Sequence, residues 1–68
     1  MNTDTMIKRS NSIADYFKEY SHDRAVSGIQ NHLKNFWEER QLSQLINYVK
    51  SDGKNLDQLV IEAVNTFQ

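Results

Sequence analysis

Apolar side chains recur at three- and four-residue spacing along almost the whole chain, and this periodicity most constrains the fold. Such spacing is typical of amphipathic helices, in which one face enters a core. The chain contains no proline and only two glycines, so few residues interrupt a helix. We therefore predict an all-α fold, a small bundle of three to four short helices in one domain spanning residues 1–68. Residues 1–5, which are mostly polar, are expected to be disordered.

Four amphipathic segments can be distinguished by their apolar stripes. The stripes consist of Met6, Ile13, Phe17 and Tyr20 in the first segment; Ala25, Val26, Ile29, Leu33, Phe36 and Trp37 in the second; Leu42, Leu45, Ile46 and Val49 in the third; and Leu56, Leu59, Val60, Ala63, Val64 and Phe67 in the fourth. Long side chains near the middle of a stripe are expected to form the core. That core would contain Phe17, Ile29, Leu33, Phe36, Leu45, Val60 and Phe67.

Polar residues before the stripes indicate where helices begin. Asp4 or Thr5 is suited to the N-cap of the first helix, and Ser21 to that of the second, because their side chains can accept a hydrogen bond from a free backbone N–H group. Asn55, followed by Gln58 three residues later, resembles a capping box for the last helix.

Breaks within the helical pattern are harder to place. Gly53 is suited to a left-handed residue that ends the third helix, and Gly28 to a close crossing with another helix. Residues 22–50 contain no strong helix breaker near their middle and could form one helix about 43 Å long. So small a domain could not cover a helix of that length, so we favour a break near residues 37–39.

Composition and charge argue against several classes of function. The net charge is −1 and the basic residues are scattered, whereas nucleic-acid binders usually concentrate lysine and arginine on one face. His22 and His32 lie far apart and share no third ligand, so a zinc site is not expected, and no carboxylate stands in a catalytic pattern. No stretch is apolar enough to span a membrane, there is no apolar signal region and there is no cysteine, so we expect a cytoplasmic protein.

A partner-binding surface is the remaining expectation. Trp37 lies at the rim of its stripe beside Phe36, and His32 and Arg40 would share its side of the helix if that helix continued through residue 40. Trp and Arg are enriched among the few interface residues that contribute most of the binding energy. Apolar residues away from the stripe centres are further candidates: Ile7, Tyr48 and Ile61.

Several short stretches, in this order and at this spacing, together resemble one protein family. They are residues 13–17, Tyr20, residues 25–29, His32-Leu33, Phe36-Trp37, Arg40 and residues 56–64. In this order they are similar to the delta subunit of NAD-dependent formate dehydrogenase, over about residues 7–64. Glu39 and Gln58 depart from the family pattern, because both positions are usually proline.

The resemblance implies a function. Members of that family are small helical proteins that accompany soluble formate dehydrogenases carrying molybdenum or tungsten on a bis-molybdopterin guanine dinucleotide. By resemblance, this chain would be a non-catalytic accessory subunit that binds the large enzyme and supports its assembly, stability or cofactor loading. It would bind no cofactor, nucleic acid or membrane itself, and self-association is possible.

Two other functions are kept as alternatives. One is a small helical regulatory module that binds nucleic acid, which salt-dependent retention on heparin or DNA would reveal. The other is a carrier that holds the pterin cofactor itself, which would need a cationic pocket.

Overall fold

In the computed structural model, which describes residues 1–67, the chain forms four helices and no strand. They are α1 (Thr3–Phe17), α2 (His22–Phe36), α3 (Glu39–Ser51) and α4 (Gln58–Asn65). The short α4 packs against all three others, and α2 also packs against α1. The predicted all-α bundle is thus confirmed.

The core lies where the stripes of the four helices meet around α4. Ile29, Leu33, Leu45 and Val60 are completely buried, as the sequence predicts. Phe17 and Phe67 are only partly buried and pack against the edge of this core. Its other members are small or flexible side chains: Met6, Ala14, Leu56, Ala63 and Val64.

The first helix begins earlier than the sequence indicates. Asn2, rather than Asp4 or Thr5, is the N-cap, and its Oδ1 accepts a hydrogen bond of 2.8 Å from the backbone N–H of Thr5. Thr3 to Thr5 form the first helical turn, whereas the sequence predicts that residues 1–5 are disordered. At the other end, α1 stops at Phe17, so the predicted stripe residue Tyr20 lies in the connection to α2.

The connection between α2 and α3 is the break that the sequence places near residues 37–39. Trp37 has extended backbone angles, and Glu38 is the N-cap of α3. Glu38 and Gln41 form a capping box, in which the Gln41 Oε1 accepts from the backbone N–H of Glu38 at 3.4 Å. This pairing satisfies backbone groups that would otherwise favour continuing the helix. Glu38 and Gln41 therefore mark the boundary between α2 and α3 without a proline.

The connection between α3 and α4 is held by hydrogen bonds from α1. Gly53 has φ +68°, as predicted for a residue that ends a helix. Asn55 also has positive φ, and the N-cap of α4 is Asp57, so the predicted capping box of Asn55 and Gln58 is wrong. The Asn11 amide of α1 donates to the Asn55 carbonyl at 2.9 Å and accepts from the Asp57 N–H at 2.8 Å.

Candidate functional site

A cleft runs along the outer surface between α1 and α2, and we call it the aromatic cleft. Its centre has a volume of about 470 Å³. The residues that line this centre are Ser12, Ile13, Tyr16, Phe17, His32 and Phe36. One end continues to Lys8, Arg9 and Trp37, and the other to Tyr20, Arg24 and Gly28. The two helices lie side by side because the four residues between them form a short connection, which favours antiparallel neighbours.

The floor of the cleft depends on Gly28. A Cβ atom at this position would lie 2.5 Å from Cε1 of Phe17, so the ring occupies the space that any side chain would fill. This confirms the close approach of α1 that the sequence predicts at Gly28. The Phe17 ring also packs edge-on against Tyr16, with ring centroids 4.9 Å apart, and lies 5.8 Å from Tyr20. The aromatic rings therefore form one connected surface.

Three large apolar side chains of this surface face solvent. Phe36 is 74% exposed, Tyr16 69% and Tyr20 49%. Scattered exposed apolar residues are common, but a contiguous group of them marks an interaction site. No other large apolar side chain among residues 1–67 is similarly exposed.

The prediction that Phe36 lies in the core is wrong, because its side chain is exposed. It is the last residue of α2, and the chain turns away directly after it. Trp37, one residue later, is partly buried and packs against the core instead. The exposed Phe36 ring rests on His32, with ring centroids 4.8 Å apart. Helical periodicity places Phe36 and Trp37 in the same stripe. Because the helix ends between them, their side chains point to different surroundings.

The two ends of the aromatic cleft differ in charge. Lys8 and Arg9 line the end at Trp37, and neither forms an ion pair with another described residue. At the opposite end, Asp23 and Arg24 both line the cleft, so their charges balance. The end at Trp37 is therefore the positive one.

Of the residues that the sequence proposes as partner contacts, two belong to the aromatic cleft. His32 lines its centre and Trp37 its positive end. Arg40 is exposed but lies beyond the break, in a separate depression at the start of α3. The helical relation that would place it beside His32 is therefore lost. The remaining three are partly buried, pack against the core and do not line the cleft: Ile7, Tyr48 and Ile61.

Among the described residues, two groups of charged side chains are joined by ion pairs outside the centre of the cleft. Lys18 Nζ is 2.9 Å from Asp57 and 3.1 Å from Asp15, and its hydrogen bond to Asp57 raises the pKa of Lys18. His22 Nε2 is 2.9 Å from Glu62, and that hydrogen bond raises the pKa of His22. Both contacts join α4 to its neighbours. These shifts arise from structural pairs near the surface, and the described residues contain no cluster of three potential metal ligands.

The comparison with protein families gives a match over most of the chain. A family model described as the NADH-dependent formate dehydrogenase delta subunit FdsD matches residues 5–64. This chain belongs to that family. No curated protein and no solved structure matches it. The resemblance found in the sequence is thus confirmed over almost the whole chain.

The structure shows how Glu39 and Gln58 can stand where the resemblance implies proline. Glu39 and Gln58 are each the first residue of a helix, α3 and α4 respectively. Proline is favoured at this position because its fixed φ suits the helix and its missing N–H has no helical partner. In this chain the preceding residues, Glu38 and Asp57, act as N-caps and mark the same boundaries.

Sequence reasoning missed the exposed aromatic residues of this delta subunit. The predicted apolar stripes leave Tyr16 out and place Phe36 in the core. One signal was available: Glu38 and Gln41 have the spacing of a capping box, which places the helix end just after Phe36.

None of the helices described is long and apolar enough to cross a membrane.

Proposed function

We propose that this chain is a non-catalytic accessory subunit that docks on the large subunit of a cytoplasmic formate dehydrogenase and supports its assembly, stability or cofactor loading. Membership of the delta-subunit family is the observation that carries this proposal. The exposed rings of the aromatic cleft supply a second argument, because they offer a surface that another protein can cover.

The chemistry of the chain fits a role in binding. Among residues 1–67, the groups with shifted pKa values are Lys18, His22 and Asp57, and all three lie in structural contacts outside the cleft. The molybdenum or tungsten cofactor, on this proposal, stays on the large enzyme. The delta subunit then acts on it only through contacts with that enzyme.

His32 and Trp37 are the proposed contacts that the cleft geometry supports. Phe36 and Tyr16 join them, because their rings are exposed beside His32 in the same cleft. Arg40, Ile7, Tyr48 and Ile61 remain predictions from the sequence, since they lie outside this surface.

Capture from the native cell tests the docking. A tagged copy of the chain should co-purify with the subunits of formate dehydrogenase, identified by mass spectrometry. A strain that lacks the chain should yield dehydrogenase with less bound molybdenum or tungsten, or with a lower melting temperature. The isolated chain should not reduce NAD in the presence of formate.

Two results would contradict the proposal. One is a set of captured proteins without any dehydrogenase subunit, which would remove the docking role. The other is dehydrogenase from the deletion strain with full metal content, complete subunit composition and unchanged melting temperature, which would remove the supporting role.

A further inference from the structure

We infer that the aromatic cleft binds one amphipathic helix of the dehydrogenase, oriented with a carboxylate of that helix against Lys8 and Arg9. This inference rests on the proposed docking function and names the surface and the chemistry that would carry it. The partner helix would present apolar side chains, three and four residues apart, to the exposed rings of the cleft.

The length and lining of the cleft favour a helix as the occupant. Along α1 the cleft runs from Lys8 to Phe17, which is about 14 Å at 1.5 Å per residue and matches between two and three turns of a second helix. Residues 1–67 form no strand, so a partner cannot bind here by adding a strand to a sheet edge. Apolar side chains from successive turns can instead enter between Tyr16 and Phe36.

The charge difference between the two ends sets the direction of the partner helix. Lys8 and Arg9 lie at the Trp37 end without ion partners among the described residues. At the other end, Asp23 and Arg24 carry opposite charges, so this end favours neither sign of charge on the partner. A carboxylate on the partner is therefore favoured at the Trp37 end. Such complementary charges fix orientation and speed up association.

A second copy of the chain fits the cleft less well than a single helix. In a two-fold dimer the same patch faces itself. Two clefts placed face to face would leave their hollows unfilled, whereas a helix is convex and fills a hollow.

Binding measurements with defined variants test this inference. The probe is the formate dehydrogenase complex purified from cells that lack this chain. Phe36→Ser should weaken its binding by at least about 30-fold, whereas Phe36→Leu, which keeps an apolar side chain, should weaken it by less than about threefold. Circular dichroism should show that both variants remain folded, because Phe36 is exposed.

Charge reversal tests the orientation. Lys8→Glu combined with Arg9→Glu should weaken binding by at least about tenfold and reduce its dependence on salt. The matched control combines Lys50→Glu with Lys54→Glu, which makes the same change in charge at exposed positions outside the cleft. This control should bind within about twofold of the wild type.

A photo-cross-linker identifies the occupant. With p-benzoylphenylalanine at position 36, the cross-linked peptide should come from the dehydrogenase and carry apolar residues three and four apart together with Asp or Glu. Cross-linking to a second copy of this chain, or a wild-type dimer that Phe36→Ser dissociates, would overturn the inference.

The outcomes separate this inference from the proposed function. If the dehydrogenase binds the wild type, but Phe36→Ser binds equally well, docking stands and the aromatic cleft is not its site. If both charge-reversed variants weaken binding equally, the assignment of a carboxylate to Lys8 and Arg9 is wrong. If the wild type itself does not bind, the proposed function fails and this inference fails with it.

Discussion

Exchanging Phe36 for serine should leave this chain folded, although a phenylalanine is lost from a domain of only 68 residues. The structure exposes 74% of Phe36, so its ring contributes little apolar burial. Leu33 lies one turn earlier on the same helix and is completely buried. Leu33→Ala therefore serves as the comparison, because it removes a smaller side chain from a fully packed position.

The two changes should differ several-fold in free energy of unfolding. Complete burial of a phenylalanine side chain contributes about 1.5–3 kcal/mol, and only about a quarter of Phe36 is buried. Phe36→Ser should therefore cost about 0.4–0.8 kcal/mol, since the helix propensities of the two residues are similar. Leu33→Ala should cost about 2–5 kcal/mol, which approaches the whole stability of about 3–5 kcal/mol expected for a domain of this size.

Urea and thermal denaturation followed by circular dichroism at 222 nm measure this difference. For a chain of this length, Phe36→Ser should lower the melting temperature by about 2–6 °C. Leu33→Ala should leave the chain largely unfolded at 37 °C. If Phe36→Ser destabilises the chain as much as Leu33→Ala, the ring is buried in solution and cannot be a partner contact.

Changes at three further positions test the contacts that hold α4 and its flanking loop. Asp57→Ala should lower the free energy of unfolding by about 1 kcal/mol, because the Leu59 N–H loses its cap acceptor. Asp57→Asn should cost less at neutral pH. Partial burial raises the pKa of Asp57, but the Leu59 N–H and Lys18 together lower it by more, so the pKa lies below its usual value. The extra stability of the wild type over Asp57→Asn should therefore be present at neutral pH and disappear as acid protonates the carboxyl. Urea titrations at several pH values measure this loss. Pairing with Glu62 raises the pKa of His22 above 6.5. The stability that this pair adds to the fold is therefore complete below pH 6.5 and is lost as the pH rises through the raised pKa. His22→Gln should therefore lower the melting temperature near pH 5.5 and leave it unchanged near pH 8.5. Gly53→Ala should cost about 1 kcal/mol in urea denaturation, because φ is +68° there.

Local patterns in the sequence were sufficient to predict most of the secondary structure. Apolar periodicity placed the four helices, and Gly53 was correctly predicted as a left-handed helix end. Ser21 occupies the predicted N-cap position of α2, but its side chain accepts no cap hydrogen bond. The α4 start was predicted too early because Asn55 looked like a cap. In the structure Asn55 has a positive φ and its carbonyl is held by Asn11, which lies 44 residues away in the chain. A contact at such separation leaves no local signal.

By itself, the sequence determined the all-α class, the approximate number of helices and part of the core, because these depend on spacing along each helix, and its ordered short stretches indicated the family. Only the tertiary structure decided which aromatic rings remain outside. Phe36 and Trp37 are neighbours in one apolar stripe, yet Trp37 packs against the core and Phe36 faces solvent. The reason is geometric: a helical wheel gives the direction of a side chain, but not whether a neighbouring helix extends far enough to cover it.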